Sequence, residues 1–138
     1  MENVTIKISG VEVTVVIFSN NVAVINSTPH PVTMQDMITG ELRSVPTSVL
    51  VNARPVEKQV SALFVKTEFE GTPEGAALIS EINAAWTETG RPETLVIVGS
   101  IIAAQAYPGE VVGMCPVPGY ERVAPAEKRM RSDKFSTF

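Results

Sequence analysis

Apolar and polar residues alternate at the start of the chain, where Thr5 and Lys7 separate Val4, Ile6 and Ile8. That two-residue period predicts a strand with one buried face. Ser9-Gly10 reads as a hairpin turn, and Val11 to Phe18 follows as a β-branched, nearly continuous apolar run. Asn20-Asn21 supplies a second turn, because both residues tolerate positive φ. Val22 to Ile25 then returns as a third strand, so the first 26 residues predict an antiparallel meander. From 27 to 48 the pattern is broken by Pro29, Pro31, Gly40 and Pro46. This predicts a loop-rich crossing with a short strand or turn near Met34 to Ile38. Val49 to Asn52 and Val60 to Phe69 read as two more strands.

The period becomes helical after Thr72. Thr72 suits an N-cap, Pro73 the first helical position, and Glu74 the positive end of the helix dipole. Leu78, Ile82 and Trp86 recur at four-residue spacing with Ile79 and Ala85 beside them, giving one apolar stripe for the core. Gly90 and Pro92 stop the helix. Leu95 to Val98 predicts a buried strand, Gly99-Ser100 a tight exit, Ile101 to Tyr107 a short helix ended by Pro108-Gly109, and Val111-Val112 another strand running to Gly113. Beyond it, Met114 to Pro125 is too proline-rich for a helix and is held extended or turned. The expected fold class is α+β in a single domain, 1–138. An antiparallel sheet comes from 1–70, an amphipathic helix from 72–90, and a strand, short helix, strand and extended basic segment from 94–138.

Composition narrows the function classes. Of 138 residues, 44% are hydrophobic and 19% charged, which fits a folded globular chain and not disorder. No apolar run approaches the roughly 20 residues that span a bilayer, and the first residues lack a secretory pattern. The one cysteine, Cys115, excludes an internal disulfide and a cysteine-cluster metal site. A cytoplasmic protein without a membrane partner is expected. The net charge of -4 is unevenly spread: residues 1–120 hold 6 Lys/Arg against 12 Asp/Glu, and residues 121–138 hold 5 against 3. An acidic body does not favour DNA or RNA polymers, which need a broad basic surface. A local basic end on that body favours a small anion or the acidic face of another subunit.

Candidate chemistry gathers in the last third. A glycine and serine between a strand and a helix leave free N–H groups of the kind that hold phosphate. Gly99-Ser100 lacks the glycine spacing of a phosphate loop, however, so an ordinary turn is the plainer reading. In the stiff segment after Pro116, Tyr120 offers a flat face for a base and Arg122 a fork for phosphate, and Lys128, Arg129 and Arg131 stand near. Phe135 and Phe138 are expected to dock on the body or on another subunit. Catalytic readings lack partners. His30 is the only histidine, Ser100 sits in no nucleophile-elbow pattern, and Cys115 has no basic neighbour. Glu68 and Glu70, on one face of a strand, read as a solvated edge.

The run Ser100-Ile-Ile-Ala-Ala-Gln-Ala-Tyr-Pro-Gly, the following Val-Val-Gly-Met and the ending Glu127-Lys-Arg-Met…Asp133-Lys-Phe…Phe138 resemble phage Thoeris anti-defence proteins of the first kind. The resemblance covers roughly residues 95–138. It implies a non-enzymatic sponge that binds cyclic ADP-ribose isomers, takes up cyclic oligonucleotides at separate sites, assembles as a hexamer, and works in the bacterial host cytoplasm. No binding residue carries over by alignment, so the expected ligand set rests on chemistry: Arg54, Ser100, Gln105, Tyr107, Tyr120, Arg122, Lys128, Arg129 and Arg131. No cofactor is expected. The ligand is expected between two subunits of a homo-oligomer. A phage structural or assembly protein and a nucleotide-processing enzyme are the alternatives.

Overall fold

A computed structural model describes residues 2–138. Ten strands and two helices follow one another as β1 (Asn3–Ile8), β2 (Val11–Phe18), β3 (Val22–Asn26), β4 (Val32–Gln35), β5 (Leu42–Val45), β6 (Ala53–Gln59), β7 (Val65–Gly71), α1 (Pro73–Glu88), β8 (Thr94–Val98), α2 (Ile101–Ala106), β9 (Val111–Pro116) and β10 (Met130–Ser136). Eight strands form one sheet in the order β1-β2-β3-β8-β9-β10-β4-β5, and β6 and β7 form a separate two-stranded ribbon. The first three strands pair antiparallel. The sheet as a whole is mixed, because β3–β8, β8–β9 and β10–β4 pair in parallel. The fold is therefore α+β in outline, and the expected antiparallel sheet is corrected to a mixed one. Its physical cause includes the helical crossovers, α1 ahead of β8 and α2 ahead of β9, which return the chain in the same direction for the β3–β8 and β8–β9 pairs.

The continuous apolar run of β2 has a direct reason. Val13, Val15 and Ile17 face α1 together with Ile25, Ile79, Ile82 and Trp86. Val16 and Phe18 face the other way, into a second cluster with Val24, Met34, Val45 and Val98. Both faces of β2 are buried because the sheet rolls until β4 and β5 lie over β2 and β3. Ser48 N–H donates to the Asn26 carbonyl at 2.9 Å, and Arg43 donates to the Ile17 carbonyl at 3.1 Å, which ties the roll shut.

A buried carboxylate holds the mouth of the roll. Asp36 accepts from the Ser19 N–H at 2.8 Å, the Ser19 hydroxyl at 2.7 Å, and the Ile38 and Thr39 N–H groups at 2.9 and 3.0 Å. Burial works to raise its pKa, but these hydrogen bonds outweigh it and hold the carboxyl down at about 2. Nearby, Asn20 donates to the Ser132 carbonyl at 2.7 Å, and Ser132 Oγ accepts from the Met37 N–H at 3.1 Å. Ser132 reaches the interior because β10 is irregular: Met130 pairs with Pro116 but Phe135 pairs with Met114.

The α1 signals act as read. Thr72 Oγ1 accepts from the Gly75 N–H at 3.0 Å, so Thr72→Ala is expected to lower stability by about 1 kcal/mol in denaturant titration. The strands expected at Val49 to Asn52 and Val60 to Phe69 are displaced. Val49 to Asn52 is a strand-free approach, and Val60 to Phe64 is the turn between β6 and β7. β5 and β10 were not expected, since each shows too few alternating apolar residues to register. Phe135 packs against the second cluster, whereas Phe138 is exposed. No helix among the described residues is long and apolar enough to cross a membrane.

Candidate functional site

The β9–β10 connection, 117–129, is a long loop closed at its base by Val117 N–H donating to the Arg129 carbonyl at 2.8 Å. Gly119 takes a φ of +92°, and Tyr120 N–H donates to the Val117 carbonyl at 2.9 Å. This tight turn swings Tyr120 back over the loop. Pro125 to Glu127 then forms one 3-10 turn, which delivers Lys128 and Arg129 to the same side. Arg129 lies over the Tyr120 ring, its guanidinium carbon 4.4 Å from the ring centre, a cation–π distance.

Tyr120, Lys128 and Arg129 line an open cleft of about 410 Å³ together with Thr33, Leu42, Ala126 and Glu127. A second hollow of about 320 Å³ adjoins it, sharing Thr33, Ala126 and Lys128. Its lining adds Pro31, Pro125, Met114 and Met130. One side of the pair is cationic and aromatic, and the other is apolar with thioethers that adapt to a flat ring. The roll places both halves, since Thr33 comes from β4, Met114 from β9 and Met130 from β10.

The remaining expected residues scatter. Arg131 forks onto Asp133 through contacts of 2.6 and 3.0 Å, and the Asp133 carboxyl is held below its ordinary range chiefly by this hydrogen bond. Arg122 is exposed in the loop, and Gln105 is exposed on α2. Arg54 sits on the ribbon, 3.1 Å from Glu70. Ser100 caps α2, its Oγ accepting from the Ala103 N–H at 3.1 Å. It lines a different cleft of about 340 Å³. Tyr107 is buried: its hydroxyl donates to the Asn52 carbonyl at 2.7 Å and accepts from the Thr72 N–H at 2.8 Å. That hydroxyl is already committed to the main chain, which makes Tyr107 a clamp between α2, β6 and the start of α1.

The structure thus brings together Tyr120, Lys128 and Arg129 and sets the other six apart. Thr33, Met114 and Met130 escaped sequence reasoning because their placement depends on β10 lying between β9 and β4, which no local pattern signals. No protein-family model, curated protein or solved structure matches this chain.

Proposed function

We propose that the protein binds a cyclic nucleotide of the cyclic ADP-ribose class at the β9–β10 loop and sequesters it uncleaved. The observation that carries this reading is the Tyr120–Arg129 stack with Lys128 beside it, at the border between a cationic cleft and an apolar hollow. A purine suits the Met114 and Met130 hollow or the Tyr120 ring. A pyrophosphate suits Arg129 and Lys128, the first as a fork and the second as a point charge. Glu127, which lines the same cleft, can accept from ribose hydroxyls. The cleft is open, so a second copy in a homo-oligomer would complete its wall and slow ligand release.

The test is a thermal-shift series with cyclic ADP-ribose and its isomers, followed by heat denaturation and chromatography of what is released. The expected outcome is a rise in melting temperature and recovery of intact nucleotide, since ligand at a hundred times its dissociation constant adds about 2.7 kcal/mol. Arg129→Ala and Tyr120→Ala are each expected to weaken binding at least about tenfold while leaving the melting temperature of the free protein nearly unchanged. No shift with any isomer, or recovery of a cleaved product, overturns the reading. The projecting ribbon favours a second reading, an interaction or assembly protein, for which oligomers form with no nucleotide-dependent stabilisation.

A further inference from the structure

The β6–β7 ribbon is held by an antiparallel register from Ala53↔Gly71 to Gln59↔Val65, and it pairs with no other strand. Only its base is supported, where it packs on α2. Every residue from 57 to 67 is exposed. An isolated two-stranded ribbon is marginal in water and ordinarily needs a surface to pack on. Here the unsupported end is also its most apolar part. Val60, Leu63, Phe64 and Val65 are exposed at 66%, 87%, 67% and 49%. The tip is nonetheless ordered, with Val60 N–H donating to the Phe64 carbonyl at 3.0 Å.

At the base of the same ribbon lies the cleft of about 340 Å³ whose apolar lining includes Pro29, Leu50, Phe69 and Ile102 and whose polar lining includes Thr28 and Asn52. Leu50 and Ile102 are themselves half-exposed, at 48% and 44%. The molecule therefore carries an apolar projection and a recess that is apolar over most of its lining. The tip does not reach its own recess, because seven-residue strands rising about 3.3 Å per residue place it roughly 20 Å from the base.

We infer that the ribbon is an exchange arm: its tip, Leu63 and Phe64, seats in the Leu50–Ile102–Phe69 cleft of a second copy of this chain, which returns its own arm across a two-fold axis. The two-fold arrangement uses the arm and the cleft once on each copy and closes without unmatched surface. Charge also selects this occupant. Between 53 and 71 the arm carries Arg54, Lys58 and Lys66 against Glu57, Glu68 and Glu70. Lys58 and Lys66 both engage Glu68, at 2.7 and 3.6 Å, and Arg54 engages Glu70. An arm neutral in itself, on an acidic body, has no electrostatic attraction for an anionic membrane or nucleic acid. Pro55 and the charged rungs also discourage simple strand addition along the arm's edges, which leaves the tip as the contact. Leu63 and Phe64 of each arm, covering roughly 150 Å² apiece, doubled by symmetry and met by as much receiving surface, come to about 1,200 Å², the lower end of a specific interface.

This inference needs only the arm and the cleft and does not depend on the ligand reading. Sedimentation velocity over a concentration series tests it, using the wild type, L63S/F64S, and L50D/I102D as an independent variant of the receiving side. The wild type is expected to self-associate at micromolar concentration, and each double variant to weaken that association at least about 30-fold. Both variants should keep the wild-type circular dichroism spectrum, because the altered side chains are exposed in the single chain. In a C115S background, chains carrying L63C mixed with chains carrying L50C are expected to form a disulfide-linked pair. A wild type that stays monomeric, association undiminished in L63S/F64S, no cross-link, or arm-dependent binding to anionic vesicles in place of self-association each overturns the inference. Nucleotide retention is read separately, so either idea can fail alone.

Discussion

Asp36→Ala is expected to destabilise the protein by about 3 kcal/mol, among the largest effects of any single substitution. The carboxylate gathers donors from two turns that are distant in sequence: the Ser19 N–H and hydroxyl after β2, and the Ile38 and Thr39 N–H groups after β4. Hydrogen bonds to a charged acceptor contribute about 1.5–3 kcal/mol, and removing the acceptor leaves buried donors without partners. Asp36→Asn keeps one carbonyl oxygen and should cost less, about 2 kcal/mol. The same site sets an acid limit. The group's pKa is about 2 in the folded protein against an ordinary 3.8, so the unfolded chain binds the proton more readily. The stabilisation is complete above about pH 4 and is lost as pH falls towards 2, a change of about 2 kcal/mol. Urea titrations of wild type and Asp36→Asn at pH 7, 4.5 and 2.5 check both statements. If the two proteins lose stability in parallel between pH 4.5 and 2.5, Asp36 does not carry the acid sensitivity.

Gly75→Ala is the second large effect, and its sign runs against helix propensity. Glycine inside a helix ordinarily gains about 0.5–1 kcal/mol on replacement by alanine. Here a Cβ at 75 would stand 1.9 Å from Tyr107 Oη and 2.7 Å from Cζ. The tyrosine cannot yield without releasing the Asn52 carbonyl and the Thr72 N–H that its hydroxyl holds. The expected result is a loss of about 2–3 kcal/mol from overpacking. Tyr107→Phe removes the nearest atom, so the two substitutions should be non-additive, with Gly75→Ala costing less in the phenylalanine background. A double-mutant cycle in denaturant checks this. Additive losses, or a stabilised Gly75→Ala, would show that the clamp does not set the spacing between α1 and α2.

What the sequence made readable was local. The alternation of Val4, Ile6 and Ile8, the positive-φ turn at Asn21 and the capping by Thr72 each act within a few residues, and each element stands where its signals place it. Thr94–Val98 and Ile101–Ala106 likewise lie where the apolar run and Gly99-Ser100 put them. What stayed hidden depends on distant partners. Leu42–Val45 is a strand because Val32 to Gln35 pairs with it, and Met130–Ser136 because two strands flank it. A charged heptapeptide such as Met130-Arg-Ser-Asp-Lys-Phe-Ser carries no strand period of its own. The candidate site was half legible for the same reason. Tyr120, Lys128 and Arg129 could be chosen by type, whereas their apolar floor and the commitment of Arg131 to Asp133 belong to the assembled sheet.

The central seat of β10 bears on how the chain reaches this structure. Met130 aligns with Met34 in parallel and with Pro116 in the opposite sense, so the strand ladder passes from β9 to β4 and β5 through a strand that leaves the ribosome long after them, although Asn26 already reaches Thr47 and Ser48 from the meander. During synthesis Met34 and Val45 can meet Val16, Phe18 and Val24 of the meander early, whereas Val98, Met114, Met130 and Phe135 complete their cover last. Such remote pairing lengthens the search and raises the contact order. The nascent protein therefore spends part of its life with β4 and β5 held to the meander along one side only, and the last strand acts as the bolt that ends that stage.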